Sequence, residues 1–444
     1  MRKAFVIFSG ALAFTLALRA DTPNVYAIRG ARIVTAAGAP IEAGTIVIRR
    51  GVIEAVGAGI SIPSDADIVE GSGLTVYPGL IDLGNTRAAD VPVPAAPQNP
   101  RTTAELERWK RDQILKPQTR AADAVKVDDA EMTRLAAAGI TSVLALPSGD
   151  VITGQSALVN VAAPPDDAQI GNIVESRRGL VVVKPAVALH VTFPERPRAG
   201  GNAYPASLMG VIAFVRQSFL DAQHYQATRK SGSEPQESDP ALDAMQPALD
   251  RKMPVAFEAN EGREILRALK MARELKLDPI VTGARDAAEV AADLKSVRVI
   301  YSLNYPTRPR TLAPDADETL EALRTRASAP KVPGELAKAG VTFAFESAGL
   351  ADPKDFVKNA AKAVKAGLAA DAAVRAMTID AAKIAGAGDR LGSIEKGKLA
   401  NLIVTEGDLF DEKMTVKRVF VDGRPVAIEA AAAAAPGGRG RGVR

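Results

Sequence analysis

The 444-residue sequence predicts an α/β fold with one large parallel-stranded body and one smaller β-domain. Three observations carry that prediction. The chain is longer than one hydrophobic core usually supports. Its middle alternates buried-strand runs with amphipathic helical patterns, and both flanks are β-rich. With 47% hydrophobic and 24% charged residues, its composition is that of globular material and not of a disordered chain.

Residues 1–20 stand apart. Arg2 and Lys3 precede an uncharged apolar run over residues 4–18, and Ala20 is placed to precede a cleavage point. This is the layout of a signal peptide. The run of about 15 apolar residues falls short of the ~20 that span a bilayer, so no stable membrane anchor is expected. The mature chain then starts near Asp21 and is periplasmic or secreted.

The formal net charge is +4, but Arg2, Lys3 and Arg19 at one end and Arg439, Arg441 and Arg444 at the other are unbalanced by any acid in those segments. Removing these six leaves residues 21–429 at −2. Such a body gives no electrostatic case for a nucleic-acid partner. The absence of cysteine excludes a disulfide framework, a thiol nucleophile and thiolate metal ligands.

Residues 21–76 read as short, alternating strands at Ala31-Arg32-Ile33-Val34, Gly44-Thr45-Ile46-Val47-Ile48 and Val52-Ile53-Glu54-Ala55-Val56-Gly57. The same texture returns within 395–429, at Ala400-Asn401-Leu402-Ile403-Val404 and in residues 416–423. Two such flanks predict one composite β-domain built from both chain ends.

Between them, residues 77–394 alternate strand and helix. Val255-Ala256-Phe257 precedes a helix with Ile265, Leu266, Leu269, Ala272 and Leu275. Ile280-Val281 is followed by a helix through Val290 and Leu294, then by a strand at Val297-Arg298-Val299-Ile300-Tyr301. Val341-Thr342-Phe343-Ala344-Phe345 precedes a helix opened by Asp352-Pro353 and closed near Gly367. This is a βαβ rhythm, which a closed barrel and an open doubly wound sheet share. Residues 91–100 and 231–247 read as loops, and 430–444 as a disordered Ala/Gly/Arg tail.

The segment Val76-Tyr77-Pro78-Gly79-Leu80-Ile81-Asp82 resembles the first barrel strand of the amidohydrolase superfamily, particularly its imidazolonepropionase-like and dihydroorotase-like members. Residues 373–383 and the run Gly392-Ser393-Ile394-Glu395-Lys396-Gly397-Lys398-Leu399-Ala400-Asn401-Leu402-Ile403-Val404 are similar to the family's C-terminal stretch. The resemblance implies a (β/α)8 TIM barrel with a small composite β-sandwich domain, and hydrolysis of non-peptide C–N bonds in cyclic amides by zinc or another divalent metal.

The ligand positions that the resemblance implies are not filled by ligands here. The first strand's H-x-H, which chelates because alternate side chains share a face, falls on Gly84 and Thr86. The second H-x-H falls on Glu258-Ala259-Asn260, and the next histidine on Gly283. The final aspartate falls on Ala348, or on Glu346 with a two-residue slip. Glycine has no donor, and a neutral threonine hydroxyl is a weak one.

The chain's two histidines occupy no matched position. His190, in an apolar strand-like run, is expected to be packed and hydrogen-bonded, and His224 to lie on a polar helix face. Ser347 reads as a cap or turn residue before it reads as a nucleophile. Glu258 and Glu346 are the candidate catalytic carboxylates, with Arg87 as a partner for either and Asn85, Arg87, Asn260 and Thr282 as pocket-lining residues.

The sequence therefore predicts an amidohydrolase-family protein without a metal cofactor, non-hydrolytic or accessory, that binds a small-molecule ligand or pairs with an active homologue. The alternative is a still-active enzyme working on C–N bonds through its carboxylates or an atypical metal site. Self-association into a homo-oligomer is left open.

Overall fold

The computed structural model describes residues 25–91, 102–126, 129–162, 175–177, 180–195, 197, 204–231, 237–313 and 315–428. The predicted signal peptide, the proline-rich stretch 92–100 and the C-terminal tail lie outside the described residues.

The N-terminal strands are β1 (Val25–Ile33), β2 (Ile41–Arg49), β3 (Val52–Gly57), β4 (Asp67–Glu70) and β5 (Thr75–Pro78). β2 and β3 pair with Arg49 opposite Val52, so Arg50 and Gly51 alone make the turn, both at positive φ. That is the backbone hand which continues the twist of a hairpin.

The central strands are β6 (Leu80–Asn85), β7 (Ile140–Ala145), β8 (Ile152–Gln155), β9 (Ala157–Asn160), β10 (Glu175–Arg177), β11 (Leu180–Lys184), β12 (Leu189–Val191), β13 (Val255–Ala259), β14 (Pro279–Gly283), β15 (Arg298–Ser302) and β16 (Phe343–Glu346). β17 (Leu402–Glu406), β18 (Thr415–Val421) and β19 (Arg424–Val426) end the chain's regular structure.

Among the described residues these strands form three sheets. An eight-stranded one runs β19-β18-β17-β5-β1-β2-β3, with β4 also paired to β1. Strands from both ends of the chain thus share it, joined where β17 lies antiparallel to β5. The second sheet runs β10-β11-β9-β7-β6 and the third β16-β15-β14-β13-β12-β8. β12 to β16 are parallel neighbours, whereas β8 and β9 run against β12 and β7.

The two central sheets share one apolar interior. Ile81 and Leu83, Leu144, Leu158, Val181 and Val183, Ala256, Ile280, Ile300 and Ala344 pack in a single buried cluster. The edge strands β16 and β6 lie side by side, linked by a hydrogen bond from the Ser347 N–H to Asp82.

The helices are α1 (Thr103–Ile114), α2 (Asp129–Ala137), α3 (Leu208–Ser231), α4 (Pro240–Leu249), α5 (Gly262–Leu275), α6 (Leu320–Ser328), α7 (Val332–Lys338), α8 (Lys354–Lys365), α9 (Ala370–Ala376) and α10 (Ile379–Ile384). In α5, Glu261 and Glu264 form a capping box, and Ile265, Leu269, Ala272 and Leu275 are buried as their spacing predicts. Leu266 instead faces solvent.

Two local expectations need correction. The stretch 231–247 is not all loop. α3 runs through to Ser231, and α4 starts at Pro240, where a missing N–H costs nothing and Asp239 accepts from Ala241 and Leu242. The helix expected through Val290 and Leu294 is only a 3-10 turn, Ala287–Val290. Tight i→i+3 bonds continue as far as Leu294, and both Ala287 and Leu294 are buried.

A buried polar network joins the outer sheet to the central one. Asn160 donates to Asp422 at 2.6 Å, the Asp422 N–H donates to Asn401, and Asn401 donates to Asn160 and Ser142. Asp422 sits in the turn between β18 and β19 at positive φ. Its second carboxyl oxygen is buried with no partner among the described residues, and burial pushes its pKa up to about 7.

Candidate functional site

Side chains alternate along a strand, so residues two beyond an interior position face the same way. Beyond Ala256, Ile280, Ile300 and Ala344 those residues are Glu258, Thr282, Ser302 and Glu346, at the C-terminal ends of β13, β14, β15 and β16. Register makes neighbours of Glu258 and Thr282, and of Ser302 and Glu346.

Glu346 is buried and reaches across the strand ends. Its Oε1 accepts the Gly283 N–H at 3.2 Å. A Cβ placed on Gly84 would lie 2.6 Å from both Cβ and Oε2 of Glu346, so this side chain fills the space beside residue 84. Burial holds the Glu346 carboxyl well above the usual carboxylate range, and the charges of Glu258 and Asp82 add to that shift. Glu258 itself is exposed, although its protein surroundings and the charge of Glu264 raise its pKa.

Asp82 of β6 is fully buried and bonded to the residue that follows β16. Oδ1 accepts the N–H groups of Ser347 at 2.7 Å and Gly84 at 3.1 Å, and Oδ2 accepts the Ser347 hydroxyl at 2.7 Å. Burial raises its pKa, while these hydrogen bonds and the nearby Asn85 pull it back. Asp82 was not among the sequence candidates, although a charged residue inside the apolar strand Leu80-Ile81-Asp82-Leu83 was a signal that could have marked it.

The other expected residues divide. Asn260 lies against Gly283, its Oδ1 2.5 Å from where a Cβ would be, and Gly283 needs its positive φ of 78°. Thr282 is buried beside Glu258. Asn85 accepts the N–H groups of Arg87 and Ala88 and so turns the chain away from the strand end.

Arg87 is therefore not the partner of Glu258 or Glu346. It pairs with Glu131 of α2 at 3.3 Å and donates to the Leu350 carbonyl. Arg87, Asn85 and Thr86 line a cleft of about 340 Å³ with Lys126 and Glu131, and the same three residues also border a smaller pocket with Asp82 and Ser347.

His190 is buried, but the expected hydrogen bond is missing: its Nε2 has no partner among the described residues, because its surroundings include Leu83, Leu144, Ala256, Ile280 and Ile300. Burial pushes its pKa down to about 4. His224 is exposed on α3. Ser347 is bound to Asp82 with no histidine among its hydrogen-bond partners, so no serine–histidine pair forms at this site. Ala348 lies in the turn after β16, where its carbonyl accepts from Asn304.

These residues do not fit a catalytic zinc, which requires about three good protein donors and an open position. Gly84 and Gly283 offer no side chain. Both Asp82 oxygens are engaged by Ser347 and Gly84, and one Glu346 oxygen by Gly283. Among the described residues, no group of three or more His, Cys, Asp or Glu side chains is arranged to hold a metal ion.

A family model described as "Amidohydrolase family" matches residues 120–426. No curated protein matches the chain. Among solved structures it is similar to an amidohydrolase from Thermotoga maritima MSB8, with a TM-score of 0.72 at 24% identity over 90% of this chain and 99% of that one. It is also similar to a Xaa-Pro dipeptidase with bound methionine in the active site, at 0.52 and 17% over 90% and 99% of the chains. An ochratoxinase from A. niger matches at 0.50 and 14% over 91% and 96%. At these identities the likeness is one of fold: mixed α/β, with sheets and helices arranged as in amidohydrolases.

Proposed function

The chain belongs to the amidohydrolase family, and on that premise we propose that it is a (β/α)8 barrel with a composite β-domain whose mouth binds a small molecule without a catalytic metal. One observation carries the reading: the Glu346 carboxyl occupies the space that a ligating side chain on residue 84 would need. Asn260 against Gly283 repeats the pattern on the neighbouring strands. The accessory role that follows is ligand capture or pairing with an active homologue. Export to the periplasm or beyond is supported by the Arg2-Lys3 start and the apolar run after it.

The test is elemental analysis of the purified chain after dialysis against zinc, with hydrolysis of cyclic amides and Xaa-Pro dipeptides assayed with and without chelator. The proposal expects no stoichiometric zinc and no chelator-sensitive hydrolysis. One zinc per chain, lost together with an activity on chelation, overturns it.

A second reading is favoured by the placement of Glu258 and Glu346 in the same phase as the interior residues, at the C-terminal ends of β13 and β16. A buried carboxyl whose pKa is raised, near a more accessible one, can serve as acid and base for C–N hydrolysis without a metal. Chelator-resistant hydrolysis lost in both E258Q and E346Q would establish that reading.

A further inference from the structure

A groove of about 660 Å³ lies away from this site, between α8 and the segment running from Leu409 into β18. One wall is cationic. Lys354, Lys358 and Lys362 are exposed along one face of α8, with Lys365 at its end. The opposite wall is an apolar strip of Phe410, Met414, Val416 and Ile428, each only partly buried.

Three acids line the groove and are outnumbered by its five cations, Arg134 among them. Glu412 pairs with Lys365, Asp352 accepts the Lys354 backbone N–H, and Asp411 accepts that of Asp408. Lys358 pairs with Asp355 on its own helix. Lys354 and Lys362 form no ion pair or side-chain hydrogen bond among the described residues.

Spacing selects the occupant. Residues four apart on a helix rise about 6 Å, so Lys354, Lys358 and Lys362 form a ladder at that interval. In an extended chain, every second side chain repeats at about 6.6 to 6.8 Å on the same side. An extended peptide with acids at alternate positions meets the ladder with one edge and lays its other side chains on the apolar strip. A fatty acid or similar amphiphile carries charge at one end only, and it would leave most of the ladder unmatched.

We propose that this groove docks an extended segment of a partner polypeptide in which acidic residues alternate with apolar ones. Docking of this kind combines charge complementarity with pockets for alternate side chains. It rests on the groove alone and is independent of the function proposed for the barrel mouth.

The experiment is fluorescence anisotropy on the full chain with labelled octapeptides: alternating Glu-Leu, alternating Lys-Leu, and a blocked peptide with the four glutamates followed by the four leucines. The alternating acidic peptide should bind saturably, at one per chain, and at least about tenfold tighter than the blocked one. K354E/K362E should weaken it by about tenfold or more and admit the Lys-Leu peptide, and about 0.5 M salt should also weaken it. Both lysines are exposed, and a thermal midpoint equal to that of the parent shows that the variant folds. K354Q/K362Q is the milder variant, and its affinity should be intermediate. Absence of saturable binding, equal affinity for the blocked peptide, or an affinity unchanged in K354E/K362E overturns the proposal.

Discussion

Glu346 lies so close to Gly84 that a methyl group on residue 84 would meet both its Cβ and its Oε2 at 2.6 Å. Real Cβ atoms essentially never approach that closely, and Glu346 is held from its other side by the Gly283 N–H. G84A should therefore cost about 1–3 kcal/mol, as overpacking does. Combining it with E346G removes the obstruction, so the two changes should be non-additive, with a coupling of about 1 kcal/mol or more in a denaturant double-mutant cycle. Additive costs would mean that the two residues are not in contact.

A different buried carboxyl sets the pH dependence of stability. Asp422 has its pKa raised to about 7 by burial, while Arg424 and its bond from Asn160 act in the opposite sense. An unfolded aspartate titrates near 3.9, so the folded chain binds the proton more tightly. That contribution is fully present below about pH 4 and is lost as pH rises through about 7. The shift of roughly three units corresponds to about 4 kcal/mol as an upper bound. Urea midpoints should fall from pH 5 to pH 8, and D422N should flatten the part of the slope that Asp422 supplies. Asp82 and Glu346 are shifted in the same direction and leave a residual slope in that variant. An unchanged slope in D422N would rule Asp422 out as the titrating group.

What could be read in advance follows from where the information resides. Strand periodicity and turn residues are local, so the β2–β3 hairpin at Arg50-Gly51 and the buried stripe of α5 were legible. Alternation from Ala344 leaves Glu346 and Ala348 in the same phase, and only the end of β16 at Glu346 separates them. The bond from Ser347 to Asp82 joins residues 265 apart in sequence, and no local pattern announces it. Arg87 was misassigned for a similar reason. Its strand position pointed toward the carboxylates, but the Asn85 turn carries it to Glu131 on α2. The polar composition of residues 231–247 hid the start of α4, which Asp239 caps and Pro240 opens.

The outer sheet yields a deletion test. β17 covers β5 with Leu402 opposite Pro78 and Thr405 opposite Thr75, and Ile53 and Gly51 bond Lys398 and Ala400. Removing residue 399 onward would leave β5 as a bare edge and expose Tyr26, Ile28 and Val76, which pack with Leu402 and Phe420. The truncated chain should be insoluble, or should bind a hydrophobic dye without a cooperative thermal transition. A soluble product with a sharp transition would show that the N-terminal strands fold independently.

The last prediction separates a structural Ser347 from a nucleophilic one. The fully buried Asp82 accepts the Ser347 N–H, the Ser347 hydroxyl and the Gly84 N–H, so its carboxylate organises both strand ends at once. D82N replaces one acceptor oxygen by a donor facing these donors, and D82A leaves them buried without a partner. Each orphaned group costs about 1–3 kcal/mol, so both variants should lose several kcal/mol of stability in denaturant titrations. S347A removes only one of the three bonds and should cost about 1 kcal/mol. If Ser347 only supports structure, S347A should bind ligands of the mouth as the parent does and leave any chelator-resistant hydrolysis intact. The contrary outcome, S347A folded with parental stability but devoid of such hydrolysis, would make the Ser347 hydroxyl the nucleophile, with Asp82 as its hydrogen-bonded base.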